Sequence, residues 1–512
     1  MPHLLEHLDQ WKPFRAVVVG DFMLDQLVYG DAERLSADGP APVLHAKRTE
    51  SMPGGAANVC MDLVALRGHV EAIGVVGDDA HADALRRAMH DAGVSTDGLI
   101  RDAARPTTVK QNLVGLAQSR HPQKMFRVDY ESREPISGVA LERLIAAFES
   151  RVASCDVVAI EDYNKGVCTP EVCRRVIDAA RKHGKPVLVD PAKLSDYSKY
   201  RGCASITPNR NEAELAAGMK THPGADPAHN GEVARALLDQ LEAEAVVLTL
   251  DKHGALLLER GGRPIHVPTV AREVYDVTGA GDMMLAALMA ARANGVSWPD
   301  AVRFANAAAG LAVEVFGVQP IPLERIHRSL ITQHLPRHSK RRTLDEAAIE
   351  VAAARREGRR IVFTNGCFDI IHSGHIKLLR EAGAQGDLLV VAINSDASVR
   401  RQNKGPERPI HPEDDRADVL SEMESVGIVV VFDDDTPEKV LERLRPDVLC
   451  KGADYTRERV VGGDFVESNG GRVHLIPIAE GRSTTSAVKK LGRAGGTEDC
   501  PTEPRAHARG QG

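Results

Sequence analysis

A chain of 512 residues is long enough for several domains, each with its own core. With 43% hydrophobic residues, 27% charged residues and a net charge of −7, it reads as globular, with neither nucleic acid nor an anionic membrane as a bulk partner, since those select clustered positive charge. No apolar run approaches the roughly 20 residues of a membrane span, and Met1 to Phe14 lack the apolar stretch of a secretion signal. The eight cysteines form no CxxC pair and have no zinc-ligand spacing, which predicts reduced thiols in the cytoplasm.

From Ala16 onward, apolar β-branched runs alternate with helical stretches, the pattern of a parallel α/β architecture. Ala16-Val17-Val18-Val19-Gly20-Asp21 is a buried first strand. Val157 to Ile160, Pro186 to Asp190 and Ala245 to Thr249 repeat the form and stop at polar or acidic residues. Ligands of open α/β sheets collect at carboxyl ends of strands, so these stopping points are candidate site residues. His334 to Arg342 breaks the pattern with charge and proline and reads as a linker; a nucleic-acid patch is the weaker reading of its basic run. A second α/β unit opens with strands at Arg360 to Thr364 and Leu388 to Ile393, followed by Ile428 to Phe432 and Val448 to Cys450. Past Lys490, small polar residues and proline predict a disordered tail. No internal repeat is visible.

In Asp276-Val277-Thr278-Gly279-Ala280-Gly281-Asp282, Gly279 and Gly281 let backbone N–H groups approach a transferred phosphate. The apolar run from Met283 to Met289 continues as a helix whose N-terminus faces the developing charge. Asp282 is placed there to accept a hydroxyl proton. By itself GxGD reads equally as a capped helix start. In the second half, Asn365-Gly366-Cys367-Phe368-Asp369 leads into His372-Ser373-Gly374-His375. If a helix starts there, both imidazoles line one side of its first turn, beside free N–H groups, and Gly374 admits phosphate to the backbone. Metal ligation by the two histidines is disfavoured, because no Glu stands between them and no third ligand follows.

The first half resembles the ribokinase-like sugar kinases over roughly residues 10 to 325, through Gly20-Asp21-Phe22-Met23-Leu24-Asp25, Pro53-Gly54-Gly55-Ala56-Ala57-Asn58, Asn209-Arg210-Asn211-Glu212 and Thr249-Leu250-Asp251-Lys252-His253-Gly254. The resemblance implies sugar contacts by Asp21, Asp25, Gly54, Gly55 and Asn58. It implies nucleotide contacts by Asn209, Arg210, Asn211, Glu212, Thr249, Asp251, Gly254, Gly279, Ala280 and Gly281, with Glu212 holding Mg2+ through water. Asn306 falls where that family lays a helix beside adenine, a plain core helix being the alternative. Glu161-Asp162-Tyr163-Asn164-Lys165-Gly166 is similar to a family stretch that has glycine in place of Asn164. There Lys165 is either a phosphate contact or a solvated lysine.

The second half resembles the cytidylyltransferase-like group of HxGH nucleotidyltransferases over about residues 358 to 492, through the Gly366 and His372 motifs, Arg416, Lys451-Gly452-Ala453-Asp454-Tyr455 and Ser483-Thr484-Thr485-Ser486. This implies catalytic roles for His372, His375 and Lys451 and nucleotide contacts by Gly366, Phe368, Arg416, Ser483, Thr484 and Thr485. The expected architecture is a ribokinase-like α/β domain at 1–332, a linker and leading helix at 333–357, a smaller Rossmann-like α/β nucleotidyltransferase domain at 358–492 and a tail at 493–512. The order of the halves resembles the bacterial bifunctional heptose-phosphate kinase/adenylyltransferase family. That implies ATP and Mg2+ as cofactors, sugar phosphates as substrates, ADP-heptose for lipopolysaccharide core as product, a separate phosphatase between the two steps, and a homodimer or other homo-oligomer. A glycerol-3-phosphate-type cytidylyltransferase half, or a non-catalytic nucleotide-binding regulator, are the alternatives.

Overall fold

The computed structural model describes residues 4, 7, 8, 10–117, 120–220, 226–269, 274–315, 317–332, 340–402, 408–452 and 457–477. The chain divides into two compact units, Met1–Leu330 and Ile331–Gly512.

In the first unit the strands are β1 (Phe14–Gly20), β2 (Phe22–Leu35), β3 (Pro42–Gly55), β4 (Gly68–Val76), β5 (Ser95–Arg101), β6 (Thr108–Ala117), β7 (Arg120–Tyr130), β8 (Val157–Glu161), β9 (Val187–Asp190), β10 (Ser205–Ile206), β11 (Ala245–Thr249), β12 (Ala255–Glu259) and β13 (Ile265–Val267). Nine of them form one sheet in the order β13-β12-β11-β10-β9-β8-β1-β4-β5. It is parallel from β11 to β5, and β12 and β13 close its edge antiparallel. The parallel strands are buried along nearly their whole length, as expected of a sheet covered on both faces.

Helices begin where local chemistry asks for them. Asp79 and Thr169 accept the Ala82 and Val172 amides, and Pro170 occupies the first turn of Pro170–Lys182. On one sheet face Pro170–Lys182 and the helix Pro227–Leu241 bury Val172, Val176, Leu237 and Leu241 against Val158, Val189 and Val246. At ~25 cal/mol per Å², each such side chain contributes about 1.5–3 kcal/mol.

A second sheet, ordered β3-β2-β6-β7, departs from the sequence reading, which foresaw no such element. Strand β3 is polar on both faces for much of its length, and the apolar residues of β2, such as Phe22-Met23-Leu24 and Leu27-Val28-Tyr29, fall on both faces, so no clean alternation announces either. Asp25 is in register with Lys110, and Lys110 with Asp129, so all three share one face. Val128, in register with Gln111, lies on the other face, as do Phe126 and Tyr130.

The second unit contains β14 (Arg341–Arg342), β15 (Ile361–Gly366), β16 (Leu388–Asn394), β17 (Ile428–Phe432), β18 (Val448–Gly452) and β19 (Arg472–Ile476), ordered β14-β17-β16-β15-β18-β19 and parallel throughout. Two apolar clusters cover its faces, one around Val351, Phe363 and Leu441 and the other around Leu379, Val391 and Leu420. Arg341 and Arg342, read from sequence as the end of a linker, form an edge strand on β17. The Arg342 guanidinium is paired with Glu350 of the following helix, Leu344–Arg356. Positions 333–339, 483–485 and 493–512 lie outside the described residues.

Candidate active sites

The parallel strands of the first unit bring their carboxyl ends together. Asp21 follows β1, Glu161 and Asp190 end β8 and β9, and Thr249 ends β11. A cavity of about 460 Å³ opens there, lined by Glu161, Asp190, Lys193, Glu212 and Asp282, with Lys165 at its side. Asp282 lies in the first turn of the helix Ala280–Ala293, which Gly279 enters at φ 81, a backbone angle that costs glycine nothing. Asp282 is buried, and each of its oxygens accepts a hydrogen bond. Asn58 Nδ2 donates to Oδ2 at 2.6 Å, and the Tyr163 hydroxyl donates to Oδ1 at 3.0 Å.

Burial pushes the Asp282 carboxyl above its ordinary pKa, opposed by those two donors and by Lys110. Glu161 and Asp190 are raised well above theirs, first by burial and then by the neighbouring carboxylates. Oxygens of Glu161, Asp190 and Asp282 lie within 4.8 Å of one another, and Glu161 Oε2 is buried without a partner. The Glu161 and Asp190 carboxylates beside Glu212 fit a hard cation such as Mg2+, with Asp282 held apart from that role by its two donors. The Asn-x-x-Glu element also has a local role. Asn209 caps the helix Arg210–Ala216 by accepting the Glu212 amide at 3.0 Å, and Glu212 Oε2 accepts the Asn209 amide at 3.0 Å. Glu212 also lines the cavity.

The remaining expected sugar and nucleotide residues fall in different places. Asp25 Oδ1 is buried without a partner, and Gly54 passes so close that a Cβ there would stand 2.6 Å from Asp25 Oδ2. Gly55 has φ 57 immediately before the helix Ala56–Ala65 that carries Asn58. Thr249 bridges to Asn209, and the following turn holds Asp251 and Gly254 at φ 50 and 89. Asn306 is buried, and its amide donates to Pro268 O at 2.6 Å, fastening a core helix to the chain after β13. Lys165 Nζ pairs with Glu131.

Asp21 departs from the expectation. Its carboxylate accepts the backbone N–H groups of Tyr163, Lys165 and Val167 at 2.9, 3.0 and 3.2 Å, so it builds the turn beneath the site rather than facing a sugar. Burial, then Asp162, raises its pKa to about 6. Asn164 adopts φ 56 in that turn, an angle asparagine tolerates better than most residues. Tyr163, Glu161, Asp190, Lys193 and Lys110 were not singled out by motif. For Glu161 and Asp190 the available signal was their position at strand ends.

In the second unit His372 is the N-cap of the helix Ser373–Gly383, and its Nδ1 accepts the Gly374 amide at 3.2 Å. The His372 and His375 rings stack, with centroids 3.9 Å apart and planes at 23°. Burial, and then His372, lower the His375 pKa to about 4, which favours the neutral imidazole. Phe368 sits at φ 48 with its ring centroid 5.0 Å from that of His375, and a Cβ on Gly366 would meet its ring at 3.2 Å. Lys451, at the end of β18, donates to Asn365 O at 2.9 Å, beside the turn.

Arg416 is almost wholly buried and is directed inward. It donates to Cys367 O at 2.6 Å, His411 O at 3.0 Å and Asp396 Oδ1 at 2.8 Å. The expected nucleotide contact therefore gives way to support of the Gly366–Phe368 turn. Asp454 and Tyr455, with Ser483, Thr484 and Thr485, lie outside the described residues.

Residues 14–325 match the pfkB family carbohydrate kinase model, and residues 363–477 match the cytidylyltransferase-like model. The chain is 44% identical over 482 residues to the bifunctional protein HldE of Geotalea uraniireducens, an alignment covering 94% of this chain and 96% of the relative. It is 43% identical over 478 residues to that of a Bradyrhizobium species, covering 92% and 95%. Among solved structures, phosphofructokinase-2 from Escherichia coli superposes with a TM-score of 0.50 at 20% identity, covering 62% of this chain and 97% of that one, which bears on the fold alone. Among the described residues, no helix is long and apolar enough to cross a membrane.

Proposed function

This chain belongs to the family of bifunctional HldE proteins, and from that premise we propose that it carries out two ATP-dependent steps of ADP-heptose synthesis. In the first, the anomeric hydroxyl of heptose 7-phosphate attacks the γ-phosphate of ATP. Asp282 takes the hydroxyl proton, and heptose 1,7-bisphosphate and ADP leave. The N-terminus of Ala280–Ala293 offers its free N–H groups to the charge that develops on the transferred phosphoryl. Mg2+ would neutralise the nucleotide phosphates, and Glu212, with Glu161 and Asp190 on the same cavity, would hold it. Lys193, at the same cavity, adds a cation for the phosphates.

After a separate phosphatase removes the 7-phosphate, an oxygen of heptose 1-phosphate attacks the α-phosphate of ATP in the second unit. The bond from the α-phosphorus to the bridging oxygen breaks, giving ADP-heptose and pyrophosphate. His372 and His375 donate hydrogen bonds to the phosphates, and Lys451 adds charge. A phosphate dianion beside His375 favours its protonated form, opposing the effect of burial.

The observation that carries this reading is the pair of separate catalytic sets: a buried, doubly hydrogen-bonded carboxylate in one unit and two stacked imidazoles on a helix start in the other. Phe126, Val128 and Tyr130, exposed on the same face of β7, support a homo-oligomer. Among the described residues seven cysteines are free, six of them buried, which suits the reducing cytoplasm. Mass spectrometry of products from ATP, Mg2+ and heptose 7-phosphate, with and without added phosphatase, tests the whole scheme. Bisphosphate alone without phosphatase and ADP-heptose with it are expected. CDP-heptose formed in preference when CTP competes with ATP would turn the second step into cytidylyl transfer.

A further inference from the structure

We propose that Tyr163 is a positioning residue for phosphoryl transfer, its hydroxyl fixing the Asp282 carboxylate in the orientation that receives the sugar proton. The inference rests on the reading of Asp282 as the base. A carboxylate at a helix start is free to rotate about its Cβ–Cγ bond unless both oxygens are held. Asn58 holds Oδ2, and Tyr163 is the side chain on Oδ1. Each oxygen keeps a second lone pair, so an incoming hydroxyl is accepted without displacing either donor.

Tyr163 can do this because its own backbone is fixed from several directions. Its amide is bound to Asp21 Oδ2 at 2.9 Å, and Asp21 also gathers the amides of Lys165 and Val167. The preceding Asp162 accepts the Asn164 amide at 2.7 Å and the Tyr200 hydroxyl at 2.7 Å, and pairs with Lys199 at 2.5 Å. Arg105 donates to Lys165 O at 2.5 Å from the far side of the turn. The Tyr163 ring is covered by Lys110 Nζ, 4.9 Å from its centroid. Lys110 shares a sheet face with Asp25, so the tyrosine is the physical link between the four-stranded sheet and the base. Burial and nearby carboxylates push the phenol well above its ordinary pKa, so it remains a donor at any working pH. The turn around Asp21 thereby acquires a purpose: it presents one hydroxyl to one carboxylate.

The test is Tyr163→Phe in the full chain, assayed for both activities. Loss of a donor to a charged group predicts a fall in kinase kcat of about 10- to 100-fold. KM for sugar phosphate and ATP should stay within about twofold, because the contact is to the base and not to a ligand. Adenylyl transfer and the melting temperature should not change. An unchanged kinase kcat, a rise in KM alone, or an equal loss of both activities would overturn the proposal. Failure of the heptose reading shows in the unsubstituted protein as absent turnover, and is thus distinguishable.

Discussion

Asn58 and Asp282, 224 residues apart in the chain, meet through a hydrogen bond of 2.6 Å, donated by the amide and accepted by the carboxylate. The helices Ala56–Ala65 and Ala280–Ala293 pack together to make this contact. On the proposed function, the first follows the turn that takes the sugar and the second carries the turn that takes the phosphate, so their packing would set the distance between acceptor hydroxyl and phosphoryl group.

Asn58→Ala removes a donor that lowers the Asp282 pKa. Protonation of the base then begins at a higher pH, so the acid limb of kinase turnover should move upward. A pH–rate series on the purified variant reads this directly, and an unmoved limb contradicts the electrostatic role given to Asn58.

The two units should fail independently. Asp282→Asn should lower kinase turnover by about a hundred- to ten-thousand-fold while adenylyl transfer continues. His375→Ala should lower adenylyl transfer by about 10²–10³-fold and spare the kinase. If either folded variant lost both activities, the assignment of two sites would be wrong.

His375 makes stability depend on pH. Its folded pKa of about 4 lies below the ordinary value of 6.5, so the unfolded chain binds the proton more readily. The contribution is therefore fully present above about pH 6.5 and is lost as pH falls toward 4. Melting temperatures recorded between those limits should fall less steeply for His375→Gln than for the unsubstituted chain, and equal slopes would refute this.

Glu212→Gln keeps the local cap nearly isosteric and removes the charge. The Mg2+ concentration giving half-maximal kinase activity should rise, while the melting temperature changes little. Glu212→Ala also opens the capping box and should destabilise by a further ~1 kcal/mol. An unchanged Mg2+ requirement in Glu212→Gln would leave only the capping role.

Gly54→Ala places a methyl group 2.6 Å from the Asp25 carboxylate. The expected outcome is a raised KM for the sugar phosphate with little change in KM for ATP. Equal changes in both would show a general distortion.

Much of this was legible without coordinates because it is local. Buried parallel strands read as continuous apolar runs, so β1, β8, β11, β15, β16 and β17 stand where such runs occur. The Gly279–Asp282 and His372–His375 turns carry their chemistry within a few residues, and helix geometry alone brings the two imidazoles to one side. The four-stranded sheet was hidden, because β3 is polar on both faces and the apolar residues of β2 fall on both, so neither carries a clean alternation. Arg341–Arg342 was hidden too, because pairing with β17 overrides a composition that reads as linker.

The sequence by itself determined the two reaction types and the order of the units, since each rests on short contiguous motifs. Tertiary structure alone decided which polar side chains face a cavity and which support one. Asp21 and Arg416 sit in site motifs, yet Asp21 accepts three backbone N–H groups and Arg416 donates to two carbonyls and to Asp396, because a buried charged group needs partners for its polar atoms. Tyr163 lies within a recognisable stretch, but its distance from Asp282 is set by the packing of β8 against the helix Ala280–Ala293. Contacts between residues more than a hundred positions apart leave no local trace in composition or spacing.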